Sequence, residues 1–269
     1  QNRHIRISLA YVIMIILIWI PMARRKSLAF LDVGQGDCFV ADTKSGAIIF
    51  DGGSSSEDQV GRYRILPYMK YLGYQKIQIA VISHMDIDHY SGIKELLEMG
   101  KIKYLGLPEI PKDETMKKII GIAKKRGTTI FYLSRGRQIT TKDGSLKVLH
   151  PQKNSQMEKN AASLVMQGKI LGYRVLLTGD VEKEGEEELL SEELERADIL
   201  KAAHHGSKNS TSNEFLQKVQ PKQTVISCGK QNRYGHPHLE TIHRLQTYHT
   251  KIYRTDRSGA IIFFKRRDG

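Results

Sequence analysis

The stretch Ser83-His84-Met85-Asp86-Ile87-Asp88-His89 puts two imidazoles and two carboxylates within six consecutive positions, directly after the apolar run Ile77 to Ile82. Four groups that bind divalent cations converge only where a chain leaves a sheet and turns at once. The sequence therefore demands a strand that ends in a tight loop, and Ser91-Gly92 then opens a helix over Ile93 to Met99. The chemistry this loop implies is that of a hydrolase built around metal ions.

The same junction recurs along the chain. Leu28 to Leu31, Cys38 to Ala41 and Ala47 to Phe50 read as a three-strand meander turned by Gly34-Gln35-Gly36 and Ser45-Gly46, with a helix following around Tyr63 to Leu72. Further strands are expected over 101–106, 128–133, 146–149, 163–166 and 174–177, with a helix over 113–126 between the first two. The second half alternates helix and strand: helix 182–195 before strand 199–203, helix 214–219 before 224–227, and helix 239–247 before 252–254. Strand-rich halves with interposed helices predict an α/β (α+β) fold of two sheets packed face to face with helices outside, a four-layer αββα sandwich. Gly34-x-Gly36 has no third glycine and no following helix, which argues against a dinucleotide site.

Three more strand ends carry chemistry. Leu176 to Asp180 is an apolar strand closing on a carboxylate placed to bridge two cations; Ala203-His204-His205-Gly206-Ser207 stands where another strand stops; Tyr234-Gly235-His236-Pro237-His238 follows the strand that ends at Cys228. Six of the ten histidines thus fall in three short loops at strand ends. Neighbours on an extended chain face opposite sides, so one of His204 and His205 is expected to face the ions, whereas His236 and His238, two apart, are free to share a side. His150, His243 and His249 read as surface or packing residues, and the acidic helix 182–195 as a solvated face.

Length and charge bound the rest. A chain of 269 residues with 40% apolar content suits one large domain behind a tail. The formal charge of +13 favours an anionic partner, nucleic acid or an acidic membrane surface. That excess lies late: residues 201 to 269 carry thirteen bases against four acids. Cys38 and Cys228 stand far apart in apolar surroundings, the pattern of buried thiols and not of a disulfide or zinc framework. From Ile7 to Met22 the chain is almost wholly apolar, flanked by Arg3, Arg6, Arg24, Arg25 and Lys26. Residues 1–26 are therefore expected to be a transmembrane segment or its end, slightly under the roughly 20 residues of a full span, and 27–269 the catalytic domain.

The combination of Asp51-Gly52-Gly53, His84-x-Asp86-x-Asp88-His89, Gly179-Asp180 and His204-His205-Gly206-Ser207 resembles the metallo-β-lactamase-fold hydrolases over roughly residues 28 to 265. More narrowly, Leu31-Asp32-Val33-Gly34-Gln35-Gly36-Asp37, the His-His-Gly-Ser run and Arg233 to His238 are similar to the C-terminal domain of ComEC-type competence proteins, membrane channels that import DNA. The resemblance implies two divalent metal ions: His84, Asp86 and Asp180 around one, with Asn160, and Asp88, His89, Asp180 and one of His204 or His205 around the other. Two departures stand out. Asp86 replaces the family's second histidine, and Asn160 to Ser163 lacks the third-motif histidine, so oxygen replaces nitrogen and Mn²⁺ or Zn²⁺ is expected, with Mg²⁺ also admitted.

The resemblance further implies phosphodiester hydrolysis of DNA, single-stranded during uptake, by a domain tethered to the cell membrane through residues 7–22, on its extracytoplasmic face and beside the rest of an import channel. Asp180 would bridge the ions and Asp88 would ligate and orient water. His236, His238 and Tyr234 are candidates for contacting phosphate or protonating the leaving oxygen. Ser207, Lys208 and Arg233, with Lys230, Arg254 and Arg257, would track the strand. Asp51 is expected to orient a ligand histidine, while Asp32 and Asp37 either face the site or cap their turn. Two other functions stay open: a hydrolase of small substrates, such as a choline-phosphate esterase, lactonase or β-lactamase, and a non-catalytic DNA-guiding module.

Overall fold

The computed structural model describes residue 11 and residues 25–158, 160–192 and 194–266. The apolar stretch 7–22 lies, apart from Tyr11, outside the described residues; among those described no helix is long and apolar enough to cross a membrane. Two seven-stranded sheets form the body. The first contains β1 (Ser27–Phe30), β2 (Phe39–Thr43), β3 (Gly46–Phe50), β4 (Ile77–Val81), β5 (Ile102–Pro108), β6 (Thr129–Leu133) and β14 (Ile261–Phe264), in the order β14-β1-β2-β3-β4-β5-β6. The second contains β7 (Gln138–Thr141), β8 (Gly144–His150), β9 (Val165–Ile170), β10 (Tyr173–Leu177), β11 (Ile199–Lys201), β12 (Gln223–Ile226) and β13 (Lys251–Arg254), in the order β13-β12-β11-β10-β9-β8-β7.

Three apolar clusters explain why the sheets stack. One joins the first sheet, through Val40, Ile49 and Leu105, to helices bearing Ile65, Met69, Ile93 and Ile119. The second lies between the sheets, where Phe30, Phe39 and Val81 meet Val148, Met166, Val175 and Leu177. The third packs Leu176, Leu200 and Ile226 of the second sheet against Leu189, Phe215, Leu216 and Leu245 of the opposite helices. Because β3 buries both faces, Ile48 to one cluster and Ile49 to the other, Ala47 to Phe50 reads as a continuous apolar run, as interior strands do.

Within each sheet the strands from β3 to β6 and from β10 to β13 are parallel. Their carboxyl ends are where open α/β sheets collect functional loops.

Several elements differ from the sequence reading. The helix expected at Ile93 begins at Ile87 (α2, Ile87–Glu98), after the shorter α1 (Leu66–Tyr71), so Asp88 and His89 sit in its first turn with Asp86 as N-cap. Gly92 is therefore not a helix opener. It lets the helix lie against the backbone, since a Cβ there would meet Gly52 O at 2.7 Å and Gly61 N at 3.0 Å. The acidic helix is shorter than expected and is not wholly solvated: after α3 (Glu114–Lys125), α4 spans Lys183–Leu190 and buries Glu186, whose carboxylate accepts the backbone N–H groups of Thr211 and Ser212. Strands β7 and β14 were not expected. Helix α5 (Asn213–Val219) and helix α6 (Leu239–Thr247) stand where predicted.

Candidate metal centre

The first sheet supplies one wall of a cleft. Beyond β4 the chain passes through buried Ile82 and Ser83 to His84, then turns at Asp86 into α2. This loop is fixed from beneath by backbone hydrogen bonds: Asp37 N–H to Asp88 O at 3.0 Å, Gly52 N–H to His89 O at 2.8 Å and Gly53 N–H to Asp37 O at 3.1 Å. Gly53 must be glycine because a Cβ would come within 2.6 Å of the carbonyl carbon of Asp88 and of His89 N. Asp51, just past β3, accepts Ser83 N–H at 2.7 Å through one oxygen and His89 Nδ1–H at 3.0 Å through the other. His89 Nε2 then faces Asp180 Oδ2 at 3.2 Å. His84 has its Nδ1 3.0 Å from Ser83 Oγ, its ring 4.1 Å from that of His89, and its Nε2 3.6 Å from Asp86 Oδ2.

The second sheet supplies the opposite wall. Thr178 Oγ1–H, after β10, donates to Lys201 O at 2.7 Å and sets the turn that delivers buried Asp180. After β11 both His204 (φ 46°) and His205 (φ 53°) adopt the left-handed conformation in a short 3₁₀ turn. Consecutive left-handed residues do not alternate as an extended chain does, and both rings line the cleft. His205 Nε2 lies 3.4 Å from Asp180 Oδ2 and 3.3 Å from Asp88 Oδ2, and His204 Nε2 lies 3.8 Å from Asp180 Oδ2. Each ring is oriented through its other nitrogen: His205 Nδ1–H donates to Ser227 O at 2.9 Å, and His204 Nδ1–H to Glu182 Oε1 at 2.8 Å.

Sequence reasoning missed Lys201. Its side chain, 5% exposed, ends the apolar strand β11 and places its ammonium against Asp37, with Gly179 O at 2.9 Å and Asp180 Oδ1 at 3.4 Å. Burial alone would raise the Asp37 carboxyl; Lys201 and His205 reverse this and hold it at about 2. Burial likewise opposes, and the nearby cations overcome, so that Asp180 stays well below the usual carboxylate range. The available signal was a lone basic residue inside Ile199-Leu200-Lys201-Ala202-Ala203. Gln35 is the second omission. Its buried side chain accepts Gly229 N–H at 3.0 Å through Oε1, leaving Nε2 without a hydrogen-bond partner.

The remaining candidates divide. Asp37 faces the centre, whereas Asp32 accepts Gly34 N–H at 3.2 Å and caps its turn. Asp86, Asp88, Asp180, His204, His205, Gln35, Tyr234 and His236 line one cleft of about 140 Å³. Asn160 instead lines a neighbouring cavity with Glu158, Glu182, Glu184 and Glu187. Ser207 is buried in its own turn, its Oγ accepting Asn209 N–H at 3.3 Å. Lys208 borders a separate cavity with Lys183, Glu186 and Arg244. His238 accepts Lys208 N–H at 3.2 Å and thereby pins that loop. His236, 5.0 Å from the His238 ring, is pushed down to about 4 by burial and by its neighbours His205 and His204. Arg254 is paired with Asp256 at 2.6 Å and borders a third cavity with Arg257. His243 and His249 are exposed, His150 is buried away from the cleft, and both cysteines are free buried thiols.

Whether this donor set suits metal ions can be judged from its unpaired atoms. The Nε2 atoms of His84, His89 and His205 are buried and have no hydrogen-bond partner, while each Nδ1 is anchored. Such atoms are costly to bury unless something binds them. Ligand atoms of His84, His89 and Asp180, and those of Asp88, His89 and His205, all lie within 4.8 Å of one another. Carboxylates behind metal-binding imidazoles are the usual orienting arrangement. The residues present fit divalent cations.

Two layered sheets with this cleft at their strand ends define a metallo-hydrolase scaffold, and the chain belongs to the metallo-β-lactamase superfamily, whose family model matches residues 31–230. Relatives that it matches include competence proteins of the ComEC type. It is 35% identical to ComE operon protein 3 of Bacillus subtilis (strain 168) across 96% of this chain and 35% of that protein. It is 30% identical to the competence protein ComA of Neisseria gonorrhoeae across 88% of this chain and 32% of that protein. The chain thus spans about a third of the length of these relatives. Among solved structures, the metallo-β-lactamase-fold protein YhfI of Bacillus subtilis superposes with a TM-score of 0.59 over 88% of this chain and 99% of that one, at 12% identity, a likeness of fold.

Proposed function

We propose that this chain is a metal-dependent phosphodiesterase that cleaves DNA, single strands in particular, during uptake. The observation that carries this reading is the convergence of the buried Nε2 atoms of His84, His89 and His205, which make no hydrogen bond and face carboxylate oxygens of Asp86, Asp88 and Asp180 at 3.2 to 3.6 Å. His84, Asp86, Asp180 and His204 would hold one divalent ion; Asp88, His89, Asp180 and His205 would hold the other. His204 then stands in for the histidine missing near Asn160. Two imidazoles and two carboxylates per ion suit Mn²⁺ or Zn²⁺. Bound there, the ions would supply a water of lowered pKa and positive charge opposite a phosphoryl oxygen.

The chain's own groups do the rest. Asp51, Ser227 O and Glu182 fix the three imidazoles that they contact. Lys201 keeps Asp37 ionised. Gln35 Nε2, buried and unpartnered at the cleft, donates to a phosphoryl oxygen, and exposed Arg233 and Lys230 meet neighbouring phosphates. The competence proteins among its relatives support DNA as the substrate, and the apolar stretch 7–22 supports attachment to the cell membrane, with the domain extracytoplasmic beside a channel.

The test is turnover. The chain is expected to degrade single-stranded oligonucleotides with Mn²⁺ or Zn²⁺ and to stop on chelation. Asp180→Asn should lower kcat/KM by about 10³-fold, the scale of losing a central electrostatic group. Full activity of that variant, or preference for small esters over DNA, would overturn the reading.

A further inference from the structure

Tyr234 is one of few large hydrophobic side chains left exposed among the described residues, and it lines the cleft itself. Its loop is built to hold the ring out. Asn232 Oδ1 accepts Tyr234 N–H at 3.2 Å and His236 N–H at 3.0 Å, while its Nδ2 donates to Gly229 O at 3.0 Å and His236 O at 2.6 Å. Arg233 donates to Tyr234 Oη at 2.7 Å, and its guanidinium carbon lies 4.9 Å from the ring centroid. The ring then runs nearly parallel to that of His236, 21° between planes with centroids 5.7 Å apart, an offset that leaves 43% of the residue exposed. His236 in turn lies 5.4 Å from His204 and 6.1 Å from His205, ring to ring.

A flat ring held by Arg233 on a loop tied by four Asn232 hydrogen bonds, one aromatic step from the histidines of the cleft, is placed to receive the base attached to a phosphate held there. We infer that Tyr234, braced by Arg233 and His236, is a nucleobase platform that selects unpaired strands. This rests on the phosphodiesterase reading. Every base has a π-face, so such a platform tolerates any sequence. In a duplex both faces of a base are engaged by neighbours, and stacking on Tyr234 would first require unstacking. One stacked base is worth roughly tenfold to a hundredfold in affinity.

The experiment compares kcat/KM of the full chain, with Mn²⁺, on a single-stranded oligonucleotide and on the same backbone made abasic. The wild-type chain should prefer the base-bearing strand by about tenfold or more. Tyr234→Ala should bring that ratio near one, and Tyr234→Trp should restore it, each with a melting temperature matching the wild-type chain. A ratio that survives Tyr234→Ala, or a wild-type chain that cleaves both strands equally, overturns the platform while leaving the phosphodiesterase reading standing. Failure of the wild-type chain to cleave either strand overturns both.

Discussion

The two walls of the cleft present their histidines by different means. On the first wall, His84 and His89 ride a regular strand-to-helix junction clamped by backbone hydrogen bonds and by Asp51, a fully buried carboxylate with both oxygens engaged. On the second, His204 and His205 occupy two successive left-handed residues, and the orienting carboxylate behind His204, Glu182, is about a third exposed. Regular structure makes the first wall stiff; local backbone strain, held by its surroundings, makes the second. Substitutions behind the two walls should therefore differ in size.

The largest effect is expected where the walls are joined. Lys201 of the second sheet neutralises Asp37 of the first, and Lys201→Met leaves that carboxylate buried without its cation. Breaking a buried pair from one side costs about 3–5 kcal/mol, which for a domain of this size is a fall of roughly 10 °C in melting temperature. Calorimetry of the metal-free variant checks this, and a fall of under about 2 °C would mean the pair contributes little. Next comes Asp51→Asn, which should weaken metal binding by about 10–100-fold, as orienting partners of metal-bound histidines typically do. Glu182→Gln, behind the more exposed wall, should cost only a few-fold on the same scale. Metal titration of both variants decides, and equal losses would erase the distinction between the walls.

The smallest expected effect concerns a histidine of the second sheet outside the cleft. His150 is buried at the end of β8, its Nε2–H donating to Ala161 O at 2.7 Å and its Nδ1 3.3 Å from Glu188, which Arg135 also pairs. Burial pulls its pKa below the ordinary 6.5, outweighing the hydrogen bond to Ala161 and the attraction of Glu188. The folded state therefore holds it neutral while the unfolded chain protonates near 6.5. Its contribution to stability is complete above that pH and is lost as the pH falls through 6.5 toward the folded value. His150→Gln should lose a few degrees less between pH 8 and pH 5 than the wild-type chain; an equal loss would remove His150 from the account.

The same contrast explains what could be read in the residues. The first wall was legible because its imidazoles and carboxylates lie within six residues after an apolar run, and local spacing fixes local geometry. Layering was legible because apolar runs and amphipathic helices alternate. The second wall was only half legible: the His-His pair announced a site, but nothing in Ala203 to Gly206 announces the two left-handed residues that bring both imidazoles to the cleft. Lys201 was hidden because a lysine at a strand's end ordinarily reads as solvated, and its partner Asp37 is remote in sequence. Gln35 sits in a turn whose glycines drew the attention. Strand β14 was missed because its partner is β1, at the other end of the chain.

The central claim is that His84, His89, His205 and Asp180 together hold divalent ions. Anomalous diffraction from crystals grown in Mn²⁺ tests it directly. The account predicts peaks in contact with the Nε2 atoms of those three histidines and with the Asp180 carboxylate; a cleft without peaks, or those Nε2 atoms engaged by other protein groups, would contradict it.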